Sequence, residues 1–363
     1  MQSTTRDDKL AKIFLGHSLN IQPKEKLLIS ASDIHALPLV KAIYVEALKL
    51  GAYPVTEMHT NFSYQFYKLA NDWQMNYIPH ELQEARVKWA DAYITIVSDH
   101  NHKELNQIPR EKVLFRSKLI RPYSDKIIDK DRWLLTYYPT QSMAQEAEVS
   151  YDWLMDFYYR ACIVDYKKMK NHLTKIETIL DKGNRVRIIG QKTDLTFSIK
   201  GRLAKAAYGE RNIPDGEVFL APVHQSIEGH VYFDLPSVIY SSEVNGIYLE
   251  FKKGKVVKAK ADFGNKTLQK VLDTDPGARS FGELGIGTNY QIKKAMKNTL
   301  FDEKIGGTIH LALGRSYREE RGGSPDDFNE STIHWDIIKD MRKKGSTLLV
   351  DDKPLLKEGK FMI

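Results

Sequence analysis

The first half of the chain alternates short apolar runs with amphipathic stretches, and that alternation leaves few folds open. Lys26 to Ser30 (Lys-Leu-Leu-Ile-Ser), Tyr53 to Met58 and Ala92 to Val97 are apolar and of strand length. Between them, Leu37, Val40, Ile43, Tyr44, Ala47 and Leu48 recur at helical spacing, and Gly51 ends that segment. Leu10, Ile13, Phe14 and Leu15 begin an earlier helix behind Asp7 and Asp8, whose charges suit a helix N-terminus. Residues 80 to 90 read as a further helix. Strands that take turns with amphipathic helices predict an α/β domain, with a parallel-type sheet covered on both faces.

The texture then changes. Residues 140 to 182 are largely helical, with two helices meeting near Val164-Asp165, and Gly183 stands at the expected stop position. Beyond it come short strands and glycines: Val186 to Ile189, Asp194 to Ile199, His230 to Phe233, and Val244 to Lys260 with Lys253-Gly254 at a hairpin turn. A length of 363 residues suits two domains at roughly 150 residues each. The boundary is placed near residue 180, giving an α/β domain over 1–180 and an α+β domain over 181–363.

Composition excludes several classes. The net charge of +7 comes from 54 basic and 47 acidic residues that are interspersed, with no long basic run to follow a phosphate backbone, so nucleic acid is not an expected partner. Cys162 is the only cysteine, which rules out an internal disulfide and a cysteine zinc site. No apolar run is long enough to span a membrane and the N-terminal residues do not resemble a signal peptide, so a cytoplasmic protein is expected. Nucleotide-binding glycine loops, the His-Glu-x-x-His pair and the Gly-x-Ser-x-Gly elbow are missing from the sequence.

The last 150 residues or so instead hold scattered donors of metal-ligand type. Glu217 and Glu283 each follow a glycine, which lets the backbone turn sharply beside a site, although a surface turn looks the same. His310 lies in the apolar run Thr-Ile-His-Leu-Ala-Leu-Gly, where a buried core histidine is the competing reading. His334 and Asp336 sit two apart in Thr-Ile-His-Trp-Asp-Ile-Ile. On a strand both would project from one face, toward one cation or toward solvent as a His–Asp pair. Together they are two imidazoles and three carboxylates, enough for two divalent cations sharing a bridging carboxylate. Asp99-His100-Asn101-His102, just past the strand ending at Val97, reads as a second metal site or as a polar loop. His224 and His230 read as pocket or solvent residues.

The segments Asn212-Ile-Pro-Asp-Gly-Glu217-Val-Phe, Gly282-Glu283-Leu-Gly-Ile-Gly-Thr-Asn289, the run from Leu300 through His310 to Tyr317, and His334-Trp-Asp336 resemble the aminopeptidase T / aminopeptidase S family of metallopeptidases, the thermophilic metalloproteases. Ser18 to Ile29 and Gly51-Ala-Tyr-Pro-Val are similar too, so the likeness runs through nearly the whole chain. The resemblance implies a homodimeric, cytoplasmic aminopeptidase acting on short peptides with two divalent metal ions. It implies that Glu217, Glu283, His310, His334 and Asp336 are the metal ligands, and that Tyr317 takes the place of the family's active-site tyrosine. Leu220 stands where many relatives have threonine, and 24 residues separate His310 from His334, a short interval for the family.

Such a centre would hydrolyse the N-terminal peptide bond with a metal-bound hydroxide, the substrate's free amine binding one ion. Glu217 is then the candidate for carrying a proton to the leaving amine, and Tyr317 for donating to the tetrahedral oxyanion. Mixed imidazole and carboxylate donors suit Zn, Co, Mn or Mg. Two alternatives stand beside this. One is a ring-cleaving dioxygenase with a single non-haem iron on a two-His-one-carboxylate triad, which has no need of Glu217 or Glu283. The other is an inactive protein that binds peptide or metal.

Overall fold

A computed structural model of the protein describes residues 3–316 and 328–363. The chain divides into two compact units, the first running to Val164 and including Gly209–Pro214, the second comprising Asp165–Tyr208 and Asp215–Ile363.

The first unit is the expected α/β domain. Its sheet has the strand order Tyr53–Met58, Lys26–Ala31, Ala92–Val97, Trp133–Tyr137, Asn212–Ile213, and every neighbouring pair is parallel. Leu27, Ile29, Ile94 and Ile96 are fully buried, whereas Tyr53 and Val55 on the edge strand are exposed. The opening helix, Thr5–Lys12, is capped by Thr4 with a reciprocal bond from Asp7, and it runs on into one π-helical stretch, Ile13–Ser18. The helix Leu37–Lys49 starts with Pro38 in its first turn and ends before Gly51, whose φ of +79° is open to glycine. The periodicity did not reveal the helix Arg110–Asp129: Tyr123 is its one buried residue, Pro122 lies inside it, and its apolar side chains make no clear stripe.

The second unit is built from antiparallel sheets. One has the order Lys255–Lys260, Ile247–Lys252, Glu228–Phe233, Thr193–Ser198, Arg185–Gly190, Thr347–Val350, Lys353–Lys357, Lys360–Phe361. A second has the order His334–Asp340, Thr308–Gly314, Phe281–Gly287, Glu217–Leu220, Lys205–Ala207, and Ser237–Ile239 pairs with Ser242–Val244 in a small third sheet. Val186, Ile188, Phe197, Val231 and Leu249 from the first share a core with Val218, Leu284, Ile286, Leu311 and Ile337 from the second. The hairpin at Lys253-Gly254 has positive φ at both residues, 49° and 75°, the turn whose twist matches the flanking strands.

The helix Tyr166–Lys182, read from sequence as part of the first domain, belongs to the second unit. Its apolar side chains Leu173, Ile176 and Leu180 join the core that Val186 and Ile188 begin. Helical periodicity gives an apolar stripe but not the sheet that the stripe will cover, and the boundary near residue 180 therefore sits one helix later than the division between the units.

Candidate metal centre

The five sequence-predicted donors come together on one face of the five-stranded sheet. Its opposite face carries Val218, Leu284, Ile286, Ile309, Leu311, Trp335 and Ile337 into the core, and strand alternation sends Glu217, Glu283, His310, His334 and Asp336 the other way. On at least one side, each donor has a small cross-strand partner. Gly287 lies opposite Glu217, Gly285 opposite His310, Ala312 opposite both Glu283 and Asp336, and Gly314 opposite His334. Larger residues there would keep the polar groups apart. A Cβ on Gly285 would fall 2.0 Å from both Cε1 and Nε2 of His310.

The two glycines flagged beside carboxylates act differently. Gly216 has a φ of +127°, turning the chain into the Glu217 strand. Gly282 lies at a register shift between Phe281 and Glu283, and a Cβ there would meet the Arg315 carbonyl oxygen at 2.3 Å. The competing reading of a solvated His–Asp pair does not hold for Asp336, which is 8% exposed, and Trp335 takes the other face, its indole N–H donating to Ser237 Oγ.

Two sets of three donors result. In each, one ligand-type atom per residue lies within 4.8 Å of the other two: Glu217, Glu303 and His310 in one set, Glu283, His334 and Asp336 in the other. His310 joins the sets, with Nε2 3.6 Å from Glu217 Oε2, 3.4 Å from Glu283 Oε1 and 4.0 Å from Asp336 Oδ1. His334 Nε2 is 3.4 Å from Asp336 Oδ1. Both rings are oriented from behind by main-chain carbonyls. His310 Nδ1–H donates to Glu303 O at 3.2 Å, and His334 Nδ1–H donates to Arg315 O at 2.8 Å. Each bond fixes the tautomer and turns Nε2 toward the carboxylates.

Glu303 is the donor that sequence reading missed. It follows the four-residue helix Thr299–Asp302, which Asn298 caps, and buried Asp302 pins the preceding loop by accepting from Met296 N and Asn298 N. No periodicity marks such a residue; its only signal is an acidic side chain seven positions before His310. Lys304, next to it, is fully buried with Nζ 3.3 Å from Glu217 Oε1 and in contact with Glu303.

The electrostatics describe a cluster in which carboxylates favour positive charge on their neighbours. Burial lifts the Glu217 carboxyl to about 8, Lys304 pulling it down and Glu303 pushing it up. Burial likewise raises Glu303. Burial would lower the histidines, but the Glu283 hydrogen bond and nearby carboxylates carry His310 up to about 9, and Asp336 carries His334 to about 10. Burial would raise Asp336 too, and the His334 charge beside it outweighs this and holds it well below the usual range. Glu217 Oε2 and Asp336 Oδ1 are buried and accept no hydrogen bond from the described residues. Buried carboxylate oxygens of this kind are costly unless a cation satisfies them, and four carboxylates converge here on two imidazoles and the Lys304 ammonium among the described residues. The residues fit divalent metal ions.

Other candidates separate from this cluster. Tyr317 lies outside the described residues. His224 and His230 belong to neither donor set; His230 stacks near Tyr248, with ring centroids 5.9 Å apart. Cys162 is fully buried, and burial pushes its thiol well up, as suits a packing residue.

The sequence profile of the thermophilic metalloprotease (M29) family matches residues 4–361. Aminopeptidase 2 of Geobacillus stearothermophilus is 26% identical over 98% of this chain and 97% of its own length. Aminopeptidase T of Thermus aquaticus is 25% identical, again over 98% of each chain. The solved structure of wild-type AmpT from Thermus thermophilus shares the fold, with a TM-score of 0.85 over 99% of both chains at 22% identity. With a match that begins at residue 4 and ends at residue 361, around a sheet that gathers these donors, the chain belongs to the thermophilic metalloprotease family (M29).

Proposed function

We propose that this metalloprotease is an aminopeptidase that removes the N-terminal residue of short peptides at a centre for two divalent cations. Glu217, Glu303 and His310 would hold one ion, and Glu283, His334 and Asp336 the other. The observation that carries the reading is the pair of largely buried three-donor sets joined through His310, with oxygens on Glu217 and Asp336 that find no hydrogen-bond donor among the described residues. When bound, the ions supply a polarised scissile carbonyl and an attacking water acidic enough to ionise near neutral pH.

The chain's own residues have distinct tasks. His310 and His334 present Nε2 in fixed orientation because carbonyls hold their Nδ1–H groups. Glu217 takes the proton of the attacking water and delivers it to the leaving amine. Lys304 keeps Glu217 and Glu303 from repelling each other. Tyr317 donates a hydrogen bond to the oxygen of the tetrahedral intermediate. A one-iron site of His310, His334 and Asp336 would leave Glu217, Glu283 and Glu303 without a metal, with Lys304 as their balancing cation among the described residues.

No helix among the described residues is long and apolar enough to cross a membrane. We take the enzyme to be a cytoplasmic homodimer, which fractionation and sedimentation test. Elemental analysis of purified protein, paired with hydrolysis of one tripeptide with a free or acetylated N-terminus, tests the activity. At least two ions per chain and cleavage of the free peptide alone are expected. A single tightly held iron, or equal cleavage of both peptides, would overturn the proposal.

A further inference from the structure

The first unit holds a second cluster of ligand-type side chains, at the carboxyl ends of two adjacent parallel strands. From the strand Lys26–Ala31 the chain connects to Tyr53–Met58 on one side, while Ala92–Val97 pairs on the other. The strand order therefore reverses between Lys26–Ala31 and Ala92–Val97. In open parallel sheets the crevice beyond the strand ends at such a reversal is the usual place for a ligand.

The loops that leave these two strands are tied together there. Ser32 N donates to Ile96 O, Ser98 N donates to Ser32 Oγ, and Ser98 Oγ donates to Asp33 O. The first loop carries Asp33 and His35, and the second carries His100. One ligand-type atom from each of the three lies within 4.8 Å of the other two. His35 Nδ1 is 2.6 Å from Asp33 Oδ1, and the His35 and His100 rings lie 5.1 Å apart at an angle of 34°. Two imidazoles so close to one another gain from a shared cation that also meets the Asp33 carboxylate. Burial works to raise Asp33, and the bonds from His35 with the charge of His100 bring it below the usual range, which keeps it ionised.

We propose that Asp33, His35 and His100 bind one divalent ion of the zinc class, cross-linking the two loops at the switch point of the parallel sheet. Two imidazoles and a carboxylate are borderline donors that favour zinc, copper or nickel over magnesium or calcium. The cluster is reachable from solvent: His100 is exposed and Asp33 and His35 are partly so.

The competing explanation is that Asp33 only caps the short turn Ile34–Ala36, since its Oδ1 also accepts from His35 N at 3.1 Å. Asp33→Asn separates the two, because asparagine caps a turn as well as aspartate and lacks the charge. The full-length protein, loaded with its divalent ions and freed of excess, is equilibrated with micromolar zinc and analysed for metal. Wild type should hold one zinc per chain more than Asp33→Asn, His35→Ala or His100→Ala, and each variant should bind that zinc at least about tenfold more weakly. Zinc should also shield His35 and His100 of the wild type from diethyl pyrocarbonate, a measurement that needs no variant. Equal zinc content in wild type and Asp33→Asn, binding at millimolar zinc only, or unshielded histidines would overturn the proposal.

Discussion

Gly285→Ala adds a single methyl group where the His310 ring lies. The new Cβ would stand 2.0 Å from Cε1 and Nε2 and 2.8 Å from Nδ1. Carbon atoms in contact sit about 3.5–4 Å apart, so ring and strand must separate by about 1.5 Å. His310 cannot recede freely, because its Nδ1–H is held by the Glu303 carbonyl and Leu311 and Ile309 beside it are fully buried. Metal–donor distances are held within about 0.2 Å, so His310 would no longer serve the Glu217–Glu303 set. A 1 Å misplacement costs about 10²-fold in rate, and kcat/KM should fall at least that far. Overpacking of this kind costs about 1–3 kcal/mol, and in a unit of this size each kcal/mol lowers Tm by about 2–4 °C. Gly183→Ala is the control, since its Cβ would meet Val350 Cγ1 at 2.5 Å in the core of the same unit. It should lose comparable stability while keeping metal and peptidase activity. Wild-type metal content and turnover in Gly285→Ala would refute the argument that the glycine exists to admit the imidazole.

Four further outcomes are expected. His334→Ala and Asp336→Ala should each lose most of one bound ion while remaining folded, since both leave Trp335 and Ile337 in the core; unchanged metal by elemental analysis in both variants contradicts the assignment. Glu303→Gln should deplete the other ion at least about tenfold in affinity, and wild-type binding would reduce Glu303 to a partner of Lys304. Tyr317→Phe should lower turnover by about 10²–10³-fold with metal content intact, and undiminished turnover removes the phenol from the mechanism. For metal-free protein the sign of the pH dependence is set by Glu217, His310 and His334, all raised when folded, to about 8, 9 and 10. Their stabilisation is full below the unfolded values and is lost as pH rises, between 4.5 and 8 for Glu217 and from 6.5 upward for the histidines. Asp336, held low, contributes above its unfolded value and loses that only in acid. The Tm of chelated protein should therefore fall from pH 6 to pH 9 while the gain from added metal grows; a flat chelated Tm would count against these protonation states.

What the sequence settled by itself was local in origin. Alternation of Lys26 to Ser30, Leu37 to Leu48 and Ala92 to Val97 was enough for a parallel α/β unit, because each run states which of its faces is apolar. Lys253-Gly254 specified a hairpin turn through its positive φ values. The i, i+2 spacing of His334 and Asp336 placed both on one strand face, and a strand cannot point them otherwise. Tertiary structure decided everything that required two distant segments to meet. The register that sets Gly285 against His310 and Ala312 against Asp336 is fixed by cross-strand pairing and not by either strand alone. Glu303 enters the cluster through a capped turn with no period to betray it. The helix Tyr166–Lys182 chose its sheet by burying Leu173, Ile176 and Leu180 in a core whose other members lie as far along the chain as Leu356. A one-dimensional pattern records what a residue wants to bury or expose, and only the folded chain records what it is buried against.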